Sequence, residues 1–337
     1  MFINGIGIVS GAGRGGDTLA AGLRQGCLAP LADKRVEEAL LREAGRLRQA
    51  RRSSRFDRLA VLAAHDALTD AGIRQMRDTG IILATGFGPH GATFRFLDDI
   101  FTYAEADVSP TLFSHSVHNA AVSYIALLNG IRGPTLTLTR FFFAFHEAVR
   151  LARSWLRLNR VSRVLLGAVD EYGEVMRHIM EQKRRLASGG ELQPFSFSAA
   201  PCVLPAEAAV VFVAERERTE HTYCSIEAAA YAKDTTPPAD TMVLLDADGL
   251  NGDESAYRPM ERADDLYSTV NLFGTTPAQS ACSAAVSALL LKDAALQKEM
   301  HVSWCRGKTD AVKKKALCVR VDCGGRMGIL EMNRMDG

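Results

Sequence analysis

The chain has 337 residues, of which 47% are hydrophobic and 23% are charged. Its 40 Lys and Arg residues and 39 Asp and Glu residues leave a formal net charge of +1. This profile excludes a disordered or disulfide-stapled chain and predicts a soluble globular protein of roughly two domain-sized units. Because the net charge is close to zero, neither nucleic acid nor an anionic membrane surface is expected as a partner.

The seven cysteines form an odd set without a C-x-x-C pair, which predicts a reduced, cytoplasmic protein with no zinc site. The opening residues, MFINGIGIVS, lack both a basic region and an apolar core, so no signal peptide is expected. The longest apolar-looking run, residues 276–291, is shorter than the ~20 residues that span a bilayer. No transmembrane segment is therefore predicted.

Short apolar runs rich in β-formers alternate with longer helical patterns. Strands are predicted at residues 2–9, 80–85, 135–139, 163–168, 208–214 and 225–230, and helices at 54–71 and 143–158. After the polar stretch KDTTPPAD, a strand at 242–247, a helix at 277–291 and paired strands at 316–321 and 327–332 follow. This order predicts an α/β protein with halves at 1–231 and 242–337 that form one compact unit. The helix at 277–291 has no charged face before its end, which predicts burial between layers.

Two local patterns could suggest ligands, but each favours a simpler interpretation. Residues 11–16 satisfy G-x-G-x-x-G after a predicted strand, yet the acidic residue of a dinucleotide fold has only Asp33 as a candidate. A glycine-rich turn is favoured there. His115 and His118 have no nearby cysteine or carboxylate pair, which favours loop histidines over a metal site.

Seven segments in order resemble the β-ketoacyl synthase family of the thiolase fold. They are INGIGIVSGAG, RRSSRFDRLAVLAAHDALTDAGI, GIILATGFGP, VHNAAVSYIALLNGIRGPTLTLT, VLLGAVDE, PFSFS followed by LPAEAAVVFVAE, and VDCGGRMGILEM. The resemblance covers the N-terminal two-thirds well and the last third in fragments. It implies a duplicated five-layer αβαβα sandwich, a dimer, and no metal or other cofactor.

The resemblance also locates the active-site positions, and none carries the expected residue. The nucleophilic cysteine of active members lies eight residues after the Pro of the Gly-Pro turn, which here is Phe142. The two catalytic histidines correspond to Asp248 and Thr275, and the catalytic lysine corresponds to Val270. A phenyl ring cannot accept an acyl group from a thioester. The chain is therefore predicted not to catalyse condensation itself.

Type II polyketide systems pair an active ketosynthase with an inactive homologue, the chain length factor, and the substitution at Phe142 fits that subunit. The predicted partners are thus a catalytic ketosynthase paralogue, an acyl carrier protein and an acyl chain in a shared tunnel. An aryl-polyene pathway is one such setting. Phe141, Phe142, Phe143 and Phe145 could fill the tunnel with rigid apolar volume, although for Phe143 and Phe145 the favoured interpretation is that they are ordinary core aromatics of a buried helix.

The resemblance places the dimer interface at residues 116–128 and 135–139, with Asn119, Thr137 and Thr139 as candidates. The family's G-F-G-G gate loop reads Asp-Cys-Gly-Gly here, so Cys323 stands in the place of the phenylalanine, before Gly324 and Gly325.

Seven arginines lie between residues 42 and 58, either as a solvated face or as a docking site for an acidic carrier protein. Arg48, Arg51, Arg52 and Arg55 are the docking candidates. Two other functions stay open. One is acyl-transfer chemistry relocated to Cys282 or Cys323, and the other is a carrier-protein scaffold without a tunnel role.

Overall fold

A computed structural model describes residues 1–26, 34–46, 52–103, 108–187, 191–233, 235–307 and 311–335. Its helices are α1 (Gly16–Gln25), α2 (Glu38–Arg46), α3 (Arg55–Asp70), α4 (His90–Tyr103), α5 (Pro110–Ser116), α6 (Ala120–Asn129), α7 (Ala144–Arg157), α8 (Glu174–Lys183), α9 (Val270–Phe273), α10 (Gln279–Lys292) and α11 (Ala294–Glu299), with 3₁₀ helices at Ser255–Arg262 and Val302–Trp304. Its strands are β1 (Phe2–Ser10), β2 (Gly13–Arg14), β3 (Thr79–Thr85), β4 (Thr135–Thr139), β5 (Arg163–Asp170), β6 (Arg185–Leu186), β7 (Cys202–Val203), β8 (Ala208–Glu215), β9 (Cys224–Ala232), β10 (Thr241–Leu245), β11 (Asp265–Tyr267), β12 (Cys305–Arg306), β13 (Lys315–Val321) and β14 (Met327–Asn333).

The main sheet consists of two similar halves joined at a short seam. One half runs β4-β3-β5-β8-β1 and the other β9-β14-β13-β10-β11. In each half the first three strands from the outer end are parallel and the two nearest the seam are antiparallel. Only two residue pairs, Phe2 with Ser225 and Ile3 with Cys224, join β1 to β9. The repeated strand order is an internal duplication that no repeat in the sequence reveals.

The two halves pack face to face on a central helical layer. The largest apolar cluster combines residues of α7 and α10 with inward residues of both half-sheets. Helix α10 is buried along nearly its whole length, because its sequence of Ala, Ser, Cys, Val and Leu leaves no polar face. This confirms the predicted α/β sandwich and the burial of the helix between layers.

The outer layers of the two halves differ. Outside the first half-sheet, α3 and α6 build an apolar cluster against β3, β5 and β8. Helix α3 begins with a capping box formed by Ser54 and Asp57. Outside the second half-sheet, the cluster draws on Tyr257 and Met260 of the 3₁₀ helix and on Phe197. The fifth layer is therefore thin.

The predicted strands and helices are confirmed, with ends that differ by one or two residues. The division of the chain at residues 231 and 242 stays a prediction. Strand β9, which ends at Ala232, pairs with β14 and therefore belongs to the second half of the sheet. The structure corrects one local prediction. His115 lies in the last turn of α5 rather than in a loop, because Ser109 caps that helix and Pro110 begins it.

Candidate functional site

The turn between β4 and α7 contains the position predicted for the family's nucleophile, and three consecutive phenylalanines form this turn. Phe141 is 43% exposed and contacts Phe87 and Phe142, with ring centroids 5.3 and 4.8 Å apart. Phe142 is half-buried and packs against Met180, Val203 and Leu250. Apolar side chains therefore fill the space beside this turn.

Phe143 is buried and has different neighbours from Phe142. Its ring is 1% exposed and contacts the rings of His146 and Tyr231. Phe145 is also buried and packs on Phe212 in the largest apolar cluster. Phe143 is not part of the apolar cluster that Phe142 packs against, and a tunnel role for Phe143 stays a prediction.

Asp248 and Thr275, the two positions predicted for the catalytic histidines, are buried and in contact. The Thr275 hydroxyl donates to the Asp248 carbonyl at 2.5 Å and accepts from the Leu204 amide at 2.9 Å. The amides of Leu250 and Thr276 donate to the Asp248 carboxylate, each at 3.2 Å. These contacts tie together the ends of β7 and β10 and the start of α10.

A buried arginine that the sequence analysis missed completes this arrangement. Arg320, on β13, is 1% exposed and lies 3.2 Å from the Asp248 carboxylate. Burial alone would lower its pKa, but the nearby carboxylates, Asp248 above all, raise it. The sequence signal is a lone arginine inside the otherwise apolar run ALCVRV, because a charge that is buried on both faces of a strand needs a partner.

Two further buried carboxyl groups surround the pair. Asp246 accepts from the hydroxyls of Ser280 and Ser283 at 2.7 and 2.5 Å, and burial raises its pKa to about 6. Glu254 accepts from the Gly249 amide at 2.8 Å, and burial raises its pKa to about 8. Burial likewise raises the pKa of Asp248. The second half thus holds three carboxyl groups around one guanidinium.

The side chains at the three predicted positions include neither a thiol nor an imidazole. Phe142 has no ionisable atom, Asp248 is held by Arg320 and two amides, and the Thr275 hydroxyl is bonded to the main chain. Thiolate attack and imidazole hydrogen bonds to a thioester carbonyl need atoms that these side chains lack. His146 follows on α7, but burial, assisted by the charge of Arg320, lowers its pKa to about 3 and keeps it neutral.

The two cysteines considered as relocated nucleophiles lie in opposite surroundings. Cys282 is fully buried in α10, and burial raises the pKa of its thiol far above the usual range. A thiol so placed is neither ionised nor reachable by an acyl thioester. Cys323 is exposed in the turn between β13 and β14, where Gly325 has a φ of 74°. Asp322 accepts from the amides of Gly324 and Arg326, which fixes the turn.

The candidate interface residues lie on one exposed side of the molecule. Strand β4 is the terminal strand of the main sheet in the described part of the chain, and Thr139 on it is exposed. Asn119 is exposed at the start of α6, while Thr137 is half-buried. Most of the large exposed apolar residues belong to the same stretch of chain: Leu97, Phe101, Phe113, Val117, Leu127, Leu136 and Phe141.

The arginine-rich segment is only partly described. Arg48 and Arg51 lie outside the described residues. Arg52 is exposed. Arg55 is engaged inside the chain, where it contacts Glu207, Glu38 and the Val36 carbonyl. Its guanidinium stabilises the buried carboxylate of Glu207, so Arg55 is a poor docking candidate.

The remaining motifs have structural explanations. Residues 11–16 form the tight β1–β2 hairpin and the start of α1, and Asp66 and Glu43 hold Arg14. Asp33 lies outside the described residues. The His115 Nδ1 lies 3.0 Å from the Asp57 carboxylate, and the ring stacks on Tyr124. Within the described ranges, no group of three or more His, Cys, Asp or Glu residues is arranged for a metal ion.

The sequence model of the family described as "Beta-ketoacyl synthase, N-terminal domain" matches residues 42–220, more than half of the chain. The chain belongs to the β-ketoacyl synthase family. The match spans the aromatic turn, β4 and the arginine-rich segment. It ends before Asp248, Thr275 and Arg320, so it does not cover the buried ionic network.

Solved structures of ketosynthases share the fold over the whole chain. "The ishigamide ketosynthase/chain length factor" superposes with a TM-score of 0.79 at 16% identity, and a β-ketoacyl synthase from Burkholderia phymatum STM815 with 0.77 at 16%. A type II polyketide ketosynthase in complex with its acyl carrier protein superposes with 0.73 at 14%. Each alignment covers 99% of both chains. No curated protein matches the sequence significantly.

These superpositions establish a thiolase-like ketosynthase fold. No helix in the described ranges is long and apolar enough to cross a membrane.

Proposed function

We propose that this chain is a non-catalytic ketosynthase-like subunit, a chain length factor, that pairs with an active β-ketoacyl carrier-protein synthase. The observation that carries the proposal is the environment of Phe142. Its ring occupies the nucleophile position and packs into an apolar cluster instead of presenting a reactive group. The Asp248–Arg320 pair and the bonded Thr275 hydroxyl likewise replace the two histidines with a static network.

The exposed side along β4 supports a paired state. A terminal strand offers unpaired main-chain donors and acceptors, which a second protein's strand can satisfy. Two exposed apolar residues would be covered by the same contact: Leu136 on the strand, at 38%, and Leu127 on the neighbouring helix α6, at 60%. The proposed partner is a catalytic ketosynthase, and the similar structure named for a ketosynthase/chain length factor supports that choice.

In the proposed complex the aromatic turn limits the depth of the acyl tunnel. Phe142 is the length gauge because its half-buried ring borders Met180, Val203 and Leu250. Type II polyketide synthesis, with the aryl-polyene pathways as one setting, is the proposed context.

The decisive experiment combines co-expression with product analysis. The chain is expressed with the ketosynthase encoded beside it, and size exclusion with native mass determination identifies the complex. We expect a one-to-one complex that condenses malonyl units, while this chain alone is inert. A stable monomer that ignores the ketosynthase would refute the proposal.

A substitution in the same complex tests the length gauge. Phe142→Ala removes the ring beside the apolar cluster and should lengthen the products. Phe145→Leu is the control, because Phe145 packs on Phe212 in the core and should leave product length unchanged. Unaltered products from Phe142→Ala within an intact complex would favour a scaffold without a tunnel role.

An acyl carrier protein is the second proposed partner, docking at the segment 42–58. Among the residues whose side chains are described there, Arg42 and Arg52 are exposed. Carrier proteins are acidic, so opposite charges would steer the encounter. Arg52→Glu should weaken carrier binding most at low salt. If Arg52→Glu and the unaltered chain bind the carrier protein with the same dissociation constant, at both 20 mM and 300 mM salt, Arg52 is not part of the proposed surface.

A further inference from the structure

A groove beside helix α7 is lined by arginines from two separate elements. Arg150, Arg153 and Arg157 come from α7, and Arg216 follows the last residue of β8. The groove has a volume of about 670 Å³, and its lining includes the apolar residues Leu151, Leu156 and Ala229. Neither the aromatic turn nor the candidate interface lines it.

The charge of the groove is strongly unbalanced. Glu147 is the one carboxylate that lines it, against four guanidinium groups. Arg150 lies 3.7 Å from Glu147, and Arg216 bonds to the Asn159 amide oxygen. Within the described residues, Arg153 and Arg157 have no hydrogen-bond or ion-pair partner. The lining side chains therefore carry a net charge of +3.

The arrangement of the arginines fits a compact ligand. Positions 150, 153 and 157 lie on one helix face, and the rise of about 1.5 Å per residue spreads them over about 10 Å. Arg216 approaches from a second element, so the guanidinium groups converge on one cleft. A flat lipid surface or a single acidic helix would contact only one row. A cleft of this volume is of small-molecule size.

We propose that this groove binds a compact polyphosphate, meaning a ligand with two or more linked phosphate groups such as a nucleotide or the diphosphate part of a coenzyme. The planar guanidinium fork matches two phosphate oxygens at once, which a lysine cannot do. The apolar lining offers a surface for the organic part of such a ligand. The site is independent of the proposed pairing with a ketosynthase.

The test uses the full chain and calorimetric titration with inorganic tripolyphosphate, ATP and coenzyme A as separate probes. We expect saturable one-to-one binding that weakens as salt rises. Arg153→Ala with Arg157→Ala should weaken it at least about tenfold, since hydrogen bonds to charged groups are lost. Arg74→Ala with Arg95→Ala removes the same charge from two exposed arginines outside the groove and should leave binding unchanged.

A conservative pair of variants covers the case in which the alanine variant fails to fold. Arg153→Lys with Arg157→Lys keeps the charge but loses the bidentate fork, and should weaken binding several-fold. Tripolyphosphate binding without ATP or coenzyme A binding would identify the phosphate chain as the recognised part. Equal losses in the groove and control variants, or no saturable binding of any probe, would overturn the proposal. Binding of an acidic protein that no polyphosphate displaces would also overturn it.

Discussion

The two half-sheets have the same strand order, but the buried carboxyl groups at the end of β5 and after β10 have different partners. In the first half, Asp170 accepts from the amides of Gly86 and Phe87 at 3.0 and 2.8 Å, and Glu171 accepts from the Gly91 amide at 2.7 Å. In the second half, Asp248 also accepts from two amides, but it pairs in addition with the fully buried Arg320. Main-chain donors fix loops without adding a second charge, whereas an ion pair requires both partners to remain.

The outer layers repeat this contrast. The first half is covered by the 16-residue helix α3, with ten buried residues, and the second by an eight-residue 3₁₀ helix with two. The same strand order is therefore found beneath a long buried helix in one half and beneath a short 3₁₀ helix in the other. We infer that the second half relies more on its internal polar contacts for stability.

The largest expected effect comes from breaking the ion pair of the second half. Arg320→Met leaves the buried carboxylate of Asp248 without its partner and should lower the free energy of unfolding by about 3–5 kcal/mol. Arg55→Met is the matched change in the first half. It should cost less, because the Arg55 side chain is 18% exposed and the Arg320 side chain only 1%, so the Arg55–Glu207 pair is less completely desolvated. Urea titrations measure both.

A double variant separates the ion pair from the volume of the side chain. Asp248→Leu with Arg320→Met removes both charges and should recover most of the loss. If the double variant is as unstable as Arg320→Met, packing rather than charge is the cause.

The pH dependence of stability should distinguish Glu254 from Glu171. Burial raises their pKa values to about 8 and about 7 in the folded chain, above the ordinary values of 4.5. At these two groups the folded state therefore binds more protons than the unfolded state between about pH 4.5 and 8, so their contribution to stability is complete below about pH 4.5 and is lost as pH rises. Each group contributes a slope of at most about 1.4 kcal/mol per pH unit.

Glutamine variants assign these slopes. Glu254→Gln should reduce the decrease in unfolding free energy with rising pH up to about pH 8, whereas Glu171→Gln should reduce it only up to about pH 7. Unfolding free energies measured from pH 5 to 8.5 decide between them. An unchanged slope in Glu254→Gln would show that this carboxyl is ionised in the folded chain.

A smaller effect should come from the thin outer layer. The Tyr257 hydroxyl accepts a hydrogen bond from the buried amide of Val321 at 3.0 Å. Tyr257→Phe leaves that amide unsatisfied and should cost about 1–3 kcal/mol. Ser54→Ala, which removes the cap of α3, is the comparison from the first half and should cost about 1 kcal/mol. Thermal and urea unfolding measure both, and a larger loss in Ser54→Ala would contradict the inference about the second half.

The smallest expected effect on the isolated chain is at the candidate interface. Leu127→Ser removes an apolar side chain that is 60% exposed, so the unfolding free energy should change by less than about 0.5 kcal/mol. The same variant should weaken assembly with the ketosynthase, as measured by native mass determination. A large loss of stability in the isolated chain would show that Leu127 is part of the monomer core.

The sequence predicts elements whose pattern is local. Strand β4 agrees at both ends, because a Gly-Pro turn precedes five alternating residues, and α3 is predicted within one residue at each end by its cap and apolar face. Two-residue strands such as β2 and β6 have no period to detect. The Asp248–Arg320 pair joins residues 72 positions apart, so only the fold reveals it.

The candidate site divides in the same way. The assignment of Phe142 to the nucleophile position stays a prediction from the family resemblance, which implies a nucleophile eight residues after the Pro of a Gly-Pro turn, here Pro134. The different environments of Phe142 and Phe143 cannot be predicted from the sequence, because the side chains of neighbouring turn residues point in directions that depend on tertiary packing. The internal role of Arg55 was missed because Glu207 lies 152 positions away.

Strand β4 also has a consequence for how the protein must be made. An exposed terminal strand flanked by apolar side chains can pair with any other extended segment, including a second copy of itself. A chain synthesised in excess of its partner would therefore tend to aggregate. Balanced production of the two subunits, as translation from one shared message provides, would keep that strand covered from the time it folds.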